Sequence, residues 1–90
     1  MPSLSYRALA DLQNLAEGIR TVLFRTVRNH PALSVQDEKG ITRLVVSYFP
    51  RGKHYRIYIL KQGTYVDYPT PKEVVEYLQG ATDVEKKRAL

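Results

Sequence analysis

Basic residues are concentrated in one stretch of this 90-residue chain, and that stretch indicates anion-binding chemistry. Between Glu38 and Asp67 there is no acidic residue. The interval contains the basic residues and the histidine Lys39, Arg43, Arg51, Lys53, His54, Arg56 and Lys61. A surface with a single sign of charge attracts the phosphates of a nucleic acid or of a phosphorylated peptide. The same charges also keep an exposed sheet soluble, so the interval indicates an anion without identifying it.

Residue patterns for catalysis are scarce. His30 and His54 lie in different segments, and neither belongs to a metal-binding pattern such as HxH or HExxH. The chain has no GxSxG nucleophile elbow and no glycine-rich phosphate loop. Glu73 and Glu76 stand three residues apart beside Lys72, a spacing typical of a solvated helix face. We therefore expect a binding protein rather than an enzyme, with no cofactor and no metal ion.

Length and composition limit the class of protein further. The chain is 43% hydrophobic, carries a formal charge of +5 and is long enough for one domain. It has no cysteine, which excludes a disulfide framework and a thiolate zinc site and fits a reducing, cytoplasmic setting. No apolar run approaches the roughly 20 residues of a membrane-spanning helix. We expect one domain over residues 1–80 and a polar, basic tail over residues 81–90.

The elements that position the basic residues are predicted from hydrophobic periodicity and turn residues. Ser5 starts a first helix that Gly18 ends, and residues 29–31 form a turn after a short strand at 21–24. Further strands are predicted at 32–36, 41–49, 54–59 and 64–68, and a second helix at 72–79. Thr70 caps that helix and Gly80 stops it, after which the tail either extends the helix or frays. The result is an α+β fold, a central antiparallel sheet flanked by an N-terminal and a C-terminal helix.

Six short motifs occur in the order in which SH2 domains have them. Over residues 7–78 the chain resembles that family in Arg7-Ala8-Leu9-Ala10-Asp11 (R-x-x-A-E), Val22-Leu23-Phe24-Arg25 (F-L-V-R), Asn29-His30-Pro31 (the phosphate-binding loop), Lys53-His54-Tyr55-Arg56-Ile57 (the HYRI strand), Gly63-Thr64-Tyr65-Val66 (the G-x-Y-x strand) and the turn and second helix at 68–77. The chain departs from the family pattern in having no tryptophan and in carrying Val27 where a hydroxyl residue is usual. Residues 33–42 look like an insertion.

The resemblance implies a pocket for the phosphotyrosine of a peptide or protein. Such a phosphate is best bound by a bidentate arginine. The phosphate-binding residues implied are Arg7, Arg25, Ser47, His54 and Arg56, with Arg25 as the central arginine and Arg7 as a clamp from the first helix. Tyr55 and Tyr65 would contact the peptide residues that follow the phosphotyrosine.

Two other classes of function remain open. A basic three-stranded sheet followed by a helix that begins T-P-K-E resembles the arm-type DNA-binding domains of tyrosine integrases. In that case Arg43, Arg51, Lys53, Arg56 and Lys61 would contact phosphates, and Tyr48, Tyr55 or Tyr58 would stack on bases or pack beneath them. The third class is a small interaction or inhibitor protein that recruits a partner to an exposed sheet edge.

Overall fold

Five strands and two helices make up the chain. The computed structural model describes residues 4–19 and 21–88. In chain order the elements are α1 (Leu4–Ala16), β1 (Thr21–Val27), β2 (His30–Gln36), β3 (Thr42–Phe49), β4 (His54–Ile59), β5 (Thr64–Tyr68) and α2 (Pro71–Arg88). The strands form one antiparallel sheet in the order β1-β2-β3-β4-β5. The predicted α+β class, with an antiparallel sheet and a helix at each end of the chain, is confirmed.

Both helices cover the same face of the sheet. The register places Leu33, Val46, Ile57 and Val66 opposite one another along one row of this face. Leu33, Val46 and Ile57 are fully buried in a core that α1 and α2 complete. The two helices also contact each other, α1 lying over β1 to β3 and α2 over β4 and β5. The opposite face carries neither of the two described helices, and we call it the uncovered face.

The β1–β2 connection differs from the predicted turn. Arg28 and Asn29 form a two-residue turn with φ of 51° and 65°, the left-handed backbone that a tight hairpin of this type requires. His30 and Pro31, predicted in the turn, belong to β2. Pro31 is tolerated there because the β2–β3 ladder begins only at Leu33, so the missing N–H removes no ladder bond.

The segment predicted as an insertion is also an integral part of the sheet. Residues 33–36 complete β2, and residues 37–41 are the turn into β3. Four consecutive β2 residues are buried, from Ala32 to Val35, so β2 is a central strand and its loss would divide the sheet.

The second helix starts as predicted and ends later. The Glu73 N–H donates to Thr70 Oγ1 at 3.3 Å, which is an N-cap hydrogen bond, and Thr70 Oγ1 donates to the Glu73 carboxylate at 3.1 Å. The prediction that Gly80 ends the helix is wrong, since α2 continues to Arg88. Residues 89–90 of the predicted tail lie outside the described residues. Within the described chain, neither helix combines the length and apolar composition needed to span a membrane.

Candidate nucleic-acid interface on the uncovered face

Strand register assigns a distinct set of side chains to the uncovered face. They are Leu23 and Arg25 on β1, Ala32 and Ser34 on β2, Val45, Ser47 and Phe49 on β3, His54, Arg56 and Tyr58 on β4, and Tyr65 and Asp67 on β5. Alternate residues of a strand point to opposite faces, so every member of this set points away from the helices.

The part of this face over β3, β4 and β5 is a row of rings and one guanidinium that stack on one another. The Phe49 and His54 rings stack with centroids 5.2 Å apart. The Arg56 guanidinium lies 4.8 Å from the Phe49 centroid and 4.0 Å from the Tyr65 centroid. Tyr58 contacts Tyr65 at 6.1 Å. We call Phe49, His54, Arg56, Tyr58 and Tyr65 the aromatic platform.

Asp67 holds the guanidinium of the platform in place. Arg56 donates from Nε to Oδ1 at 2.8 Å and from Nη2 to Oδ2 at 3.0 Å, a bidentate pair. These hydrogen bonds raise the pKa of Arg56 and hold the pKa of Asp67 below its ordinary value of 3.8. Arg56 is therefore charged and planar at neutral pH, but its charge is balanced. Its guanidinium joins the Phe49 and Tyr65 rings in one stacked row and is not a free cation.

His54 is confined by its neighbours in the β3–β4 turn. A Cβ added at Gly52 would overlap the His54 ring, so only glycine leaves room for the stack on Phe49. His54 Nε2 lies 3.7 Å from Asp67 Oδ2, and this buried nitrogen has no hydrogen-bond partner among the described residues. The glycine and the carboxylate together fix the ring in the plane of the platform.

Small residues separate the platform from β1. Ser34 lies between Leu23 and Val45 in the register, and Val45 is followed by Tyr58 on β4. Ser34 and Val45 are 6% and 9% exposed although they belong to the uncovered face. Ser34 and Val45 are thus shielded positions between the β1 side chains and the platform.

Arg25 is the basic side chain that β1 contributes to the uncovered face. Its Nη1 donates to the Ser34 hydroxyl at 3.3 Å. Among the described residues no carboxylate forms an ion pair with it. Arg25 is exposed and its charge is available to an anion.

Free basic residues also cluster at one end of the sheet. In an antiparallel meander alternate turns lie at the same end, which brings the β1–β2 turn with Arg28 beside the β3–β4 turn with Arg51 and Lys53. All three side chains are exposed. The start of α2 follows β5 at this end as well, and its helix dipole adds positive potential. We call these two turns the basic end.

The opposite end of the sheet contains the β2–β3 turn, which includes the acidic residues Asp37 and Glu38. Asp37 accepts hydrogen bonds from the Ile41 and Lys39 N–H groups and from Arg43 Nε at 2.8 Å. The Ile41 N–H and then Arg43 hold the pKa of Asp37 below its ordinary value. Arg43, predicted to contact phosphate, is therefore engaged in closing the β2–β3 turn. Lys61 lies in the β4–β5 turn at this same end and is remote from the basic end by the length of the sheet.

The structure separates the residues that the SH2 resemblance grouped. Arg25, Ser47, His54, Arg56 and Tyr65 share the uncovered face. Arg7 does not join them because it lies on α1, and α1 packs on the opposite face.

Tyr55, which the resemblance assigns to peptide contact, lies on the helix-covered side of the sheet. Tyr55 is 4% exposed and belongs to the core, where its hydroxyl donates to the Ala8 carbonyl at 3.5 Å. Burial raises the pKa of that hydroxyl. Tyr48 packs against Tyr55 on the same side, so of the three tyrosines offered for base stacking only Tyr58 is on the uncovered face.

Phe49 and Asp67 are site residues that the sequence analysis did not single out. The signal that could have found them was the period-two alternation from Phe49 through the hairpin to His54, Arg56 and Tyr58, which assigns these four residues to one face.

Comparison of the chain with protein-family models, with curated proteins and with solved structures finds no match. Within the described residues, no group of three or more histidine or acidic side chains is placed to hold a metal ion. The interpretation of the uncovered face therefore depends on its own geometry.

Proposed function

We propose that this protein binds single-stranded nucleic acid on its uncovered face. Bases stack on the aromatic platform, and phosphates are contacted by Arg25 and by the three cations of the basic end. The observation that supports the proposal is the stacked row of Phe49, Arg56 and Tyr65, whose end ring, Tyr65, is 51% exposed on the same face as Arg25. Aromatic rings and arginine planes are the groups that stack on splayed bases.

The geometry favours a single strand over a duplex. A paired base presents only its edge in a groove, whereas an unpaired base presents a whole face for stacking. The exposed Tyr65 ring at the end of the platform presents such a stacking face, and the neighbouring carboxylate of Asp67 is already occupied by Arg56. Stacking of this type tolerates any base, so we expect weak sequence preference and strong salt dependence.

A phosphotyrosine peptide bound in an SH2-like manner is the second candidate. Arg25 supports it, because an exposed arginine beside the Ser34 hydroxyl and free of carboxylates is suited to a phosphate dianion. The candidate ranks second because Arg7 lies on the far side of the sheet and Arg56 is already paired with Asp67. The phosphate would depend on Arg25 alone, without its clamp.

Fluorescence anisotropy with a short labelled oligothymidylate tests the proposal. Four phosphate contacts predict that log affinity falls linearly with log salt, with a slope of about −3. Lys53→Gln should reduce the slope by about 0.7, because one contact is lost. A blunt duplex of equal length should bind more weakly at every salt concentration, since it offers no base faces.

Two results would refute the proposal. Equal binding of duplex and single strand would remove the role of the platform, and no binding at low salt would remove the function. Matched tyrosine peptides, phosphorylated and not, run in the same assay. Binding that needs the phosphate and is lost in Arg25→Ala would establish the second candidate in its place.

A further inference from the structure

The edge strand β1 has few of the features that usually prevent strands from pairing with another chain, its one charged residue being Arg25. It has seven residues in unbroken register with β2, and it contains no lysine, proline or bulge. Leu23 and Val27 are 48% and 39% exposed. The other edge strand, β5, is shorter, with five residues. Natural proteins protect long exposed edges, and an unprotected one indicates a strand partner.

The backbone groups available on this edge follow from one hydrogen bond. Gln13 Nε2 donates to the Val22 carbonyl at 2.9 Å, so the Val22 carbonyl is directed away from β2. Antiparallel strands alternate between residues that bond to the neighbour and residues that point to the other edge. The outward set is therefore Val22, Phe24 and Thr26. Gln13 covers only the Val22 carbonyl at the start of the strand.

We propose that β1 pairs with β1 of a second copy of this chain, antiparallel and centred on Phe24. In that register Phe24 lies opposite Phe24 of the other copy, and Val22 lies opposite Thr26 of the other copy. Phe24 then forms a hydrogen-bonded pair with Phe24 of the other copy, and the two Val22–Thr26 pairs are completed when the Gln13 side chain yields the Val22 carbonyl to the incoming strand. Two five-stranded sheets become one continuous sheet of ten strands.

The side chains of β1 are complementary to themselves in this register alone. Leu23 of each copy stands opposite Arg25 of the other in a non-hydrogen-bonded pair, where Cα atoms approach to about 4.5 Å. The arginine stem packs on leucine and no like charges meet. A shift in one direction places Arg25 opposite Arg25 of the other copy. A shift in the other direction leaves Thr26 unpaired.

This complementarity identifies the occupant as a second copy rather than an unrelated peptide. Thr21 meets Val27 of the other copy, so the β-branched residues of β1 also face one another, which suits a strand pair. The sheet-edge partner considered from the sequence thus becomes a specific isologous contact. The proposal does not rest on the platform, which lies toward the other edge of the sheet, although Arg25 takes part in both proposals.

Sedimentation equilibrium of the full chain without nucleic acid tests the proposal. Wild type should dimerise reversibly. Leu23→Lys places a cation opposite each Arg25 and should raise the dimer dissociation constant about tenfold. Leu60→Lys is the matched control, because Leu60 is 49% exposed in the β4–β5 turn, and it should dimerise as wild type does.

A charge exchange makes the test specific to the register. In Leu23→Lys with Arg25→Glu each lysine faces a glutamate of the other copy, and dimerisation should return toward wild type. A wild-type chain that remains monomeric at its solubility limit overturns the proposal. So does Leu23→Lys that dimerises as Leu60→Lys does, or a double variant that shows no recovery.

Discussion

Replacing Tyr65 by alanine removes a defined part of the aromatic platform. Tyr65 is 51% exposed, and the Arg56 guanidinium covers one side of its ring at 4.0 Å. Only the other side is open to a base, so the substitution removes one base stack. A stack on an aromatic side chain contributes about 1–3 kcal/mol.

The magnitude expected is in the lower half of that range. Loss of the ring uncovers Arg56, which Asp67 and Phe49 still hold in plane, and a base can then stack on the guanidinium. A net loss of about 1–2 kcal/mol corresponds to roughly 5- to 30-fold weaker binding. The salt slope should not change, because Tyr65 contacts no phosphate.

Anisotropy titrations at several salt concentrations measure both quantities. Tyr6→Ala is the matched control, because Tyr6 is 48% exposed on α1, away from the uncovered face, and stacks on Phe24. It should leave the affinity within twofold, as an approximate limit for a remote surface change. Circular dichroism establishes that both variants are folded. The reasoning is wrong if Tyr65→Ala binds as tightly as wild type, or if both variants weaken binding equally.

Three further predictions concern stability, each measured by urea unfolding. Gly52→Ala should lower the free energy of unfolding by about 1–3 kcal/mol, because its Cβ displaces the His54 ring. Gly80→Ala lies within α2 with open space around it and should raise the free energy of unfolding by about 0.5–1 kcal/mol. The opposite order of stability would refute the close contact between Gly52 and His54. Thr70→Ala should cost about 1 kcal/mol through loss of the helix cap, and an unchanged midpoint would contradict the cap's importance. The pKa of Asp67 is lowered by its guanidinium partner, so the stabilisation is complete above the ordinary pKa of 3.8 and is lost as the pH falls through the lower folded value. Asp67→Asn should therefore show less acid destabilisation below about pH 4 than wild type does, and identical acid profiles would refute the pairing.

Local signals predicted the elements that depend on local interactions. The strands at 54–59 and 64–68 agree with β4 and β5, and the cap of α2 forms between residues three apart. The φ of +88° at Gly18 ends α1 as predicted. Each of these features depends on a turn residue or an alternation that is complete within a few positions.

The strand β2 was predicted only in part because it is central. It is buried on both faces between Ala32 and Val35, so it lacks the alternation that marks a half-buried strand. Pro31 looked like a turn residue, and its position beyond the β2–β3 ladder is a property of the register. The extension of α2 past Gly80 was also missed, since glycine is unfavourable in a helix interior but does not forbid it.

The amino-acid sequence by itself determined the class of fold, the start of the second helix and the acid-free interval from which we predict anion binding. Period-two alternation also divides each strand into two faces. It does not specify which face the helices cover. Only the packing of α1 and α2 on one side decided that Tyr55 is core while Arg56 and Tyr65 are surface, and that Arg7 and Arg25 lie on opposite sides of the sheet. The reason is that a row of apolar side chains is buried only when all the strands and both helices are assembled, so no short segment specifies which row is covered.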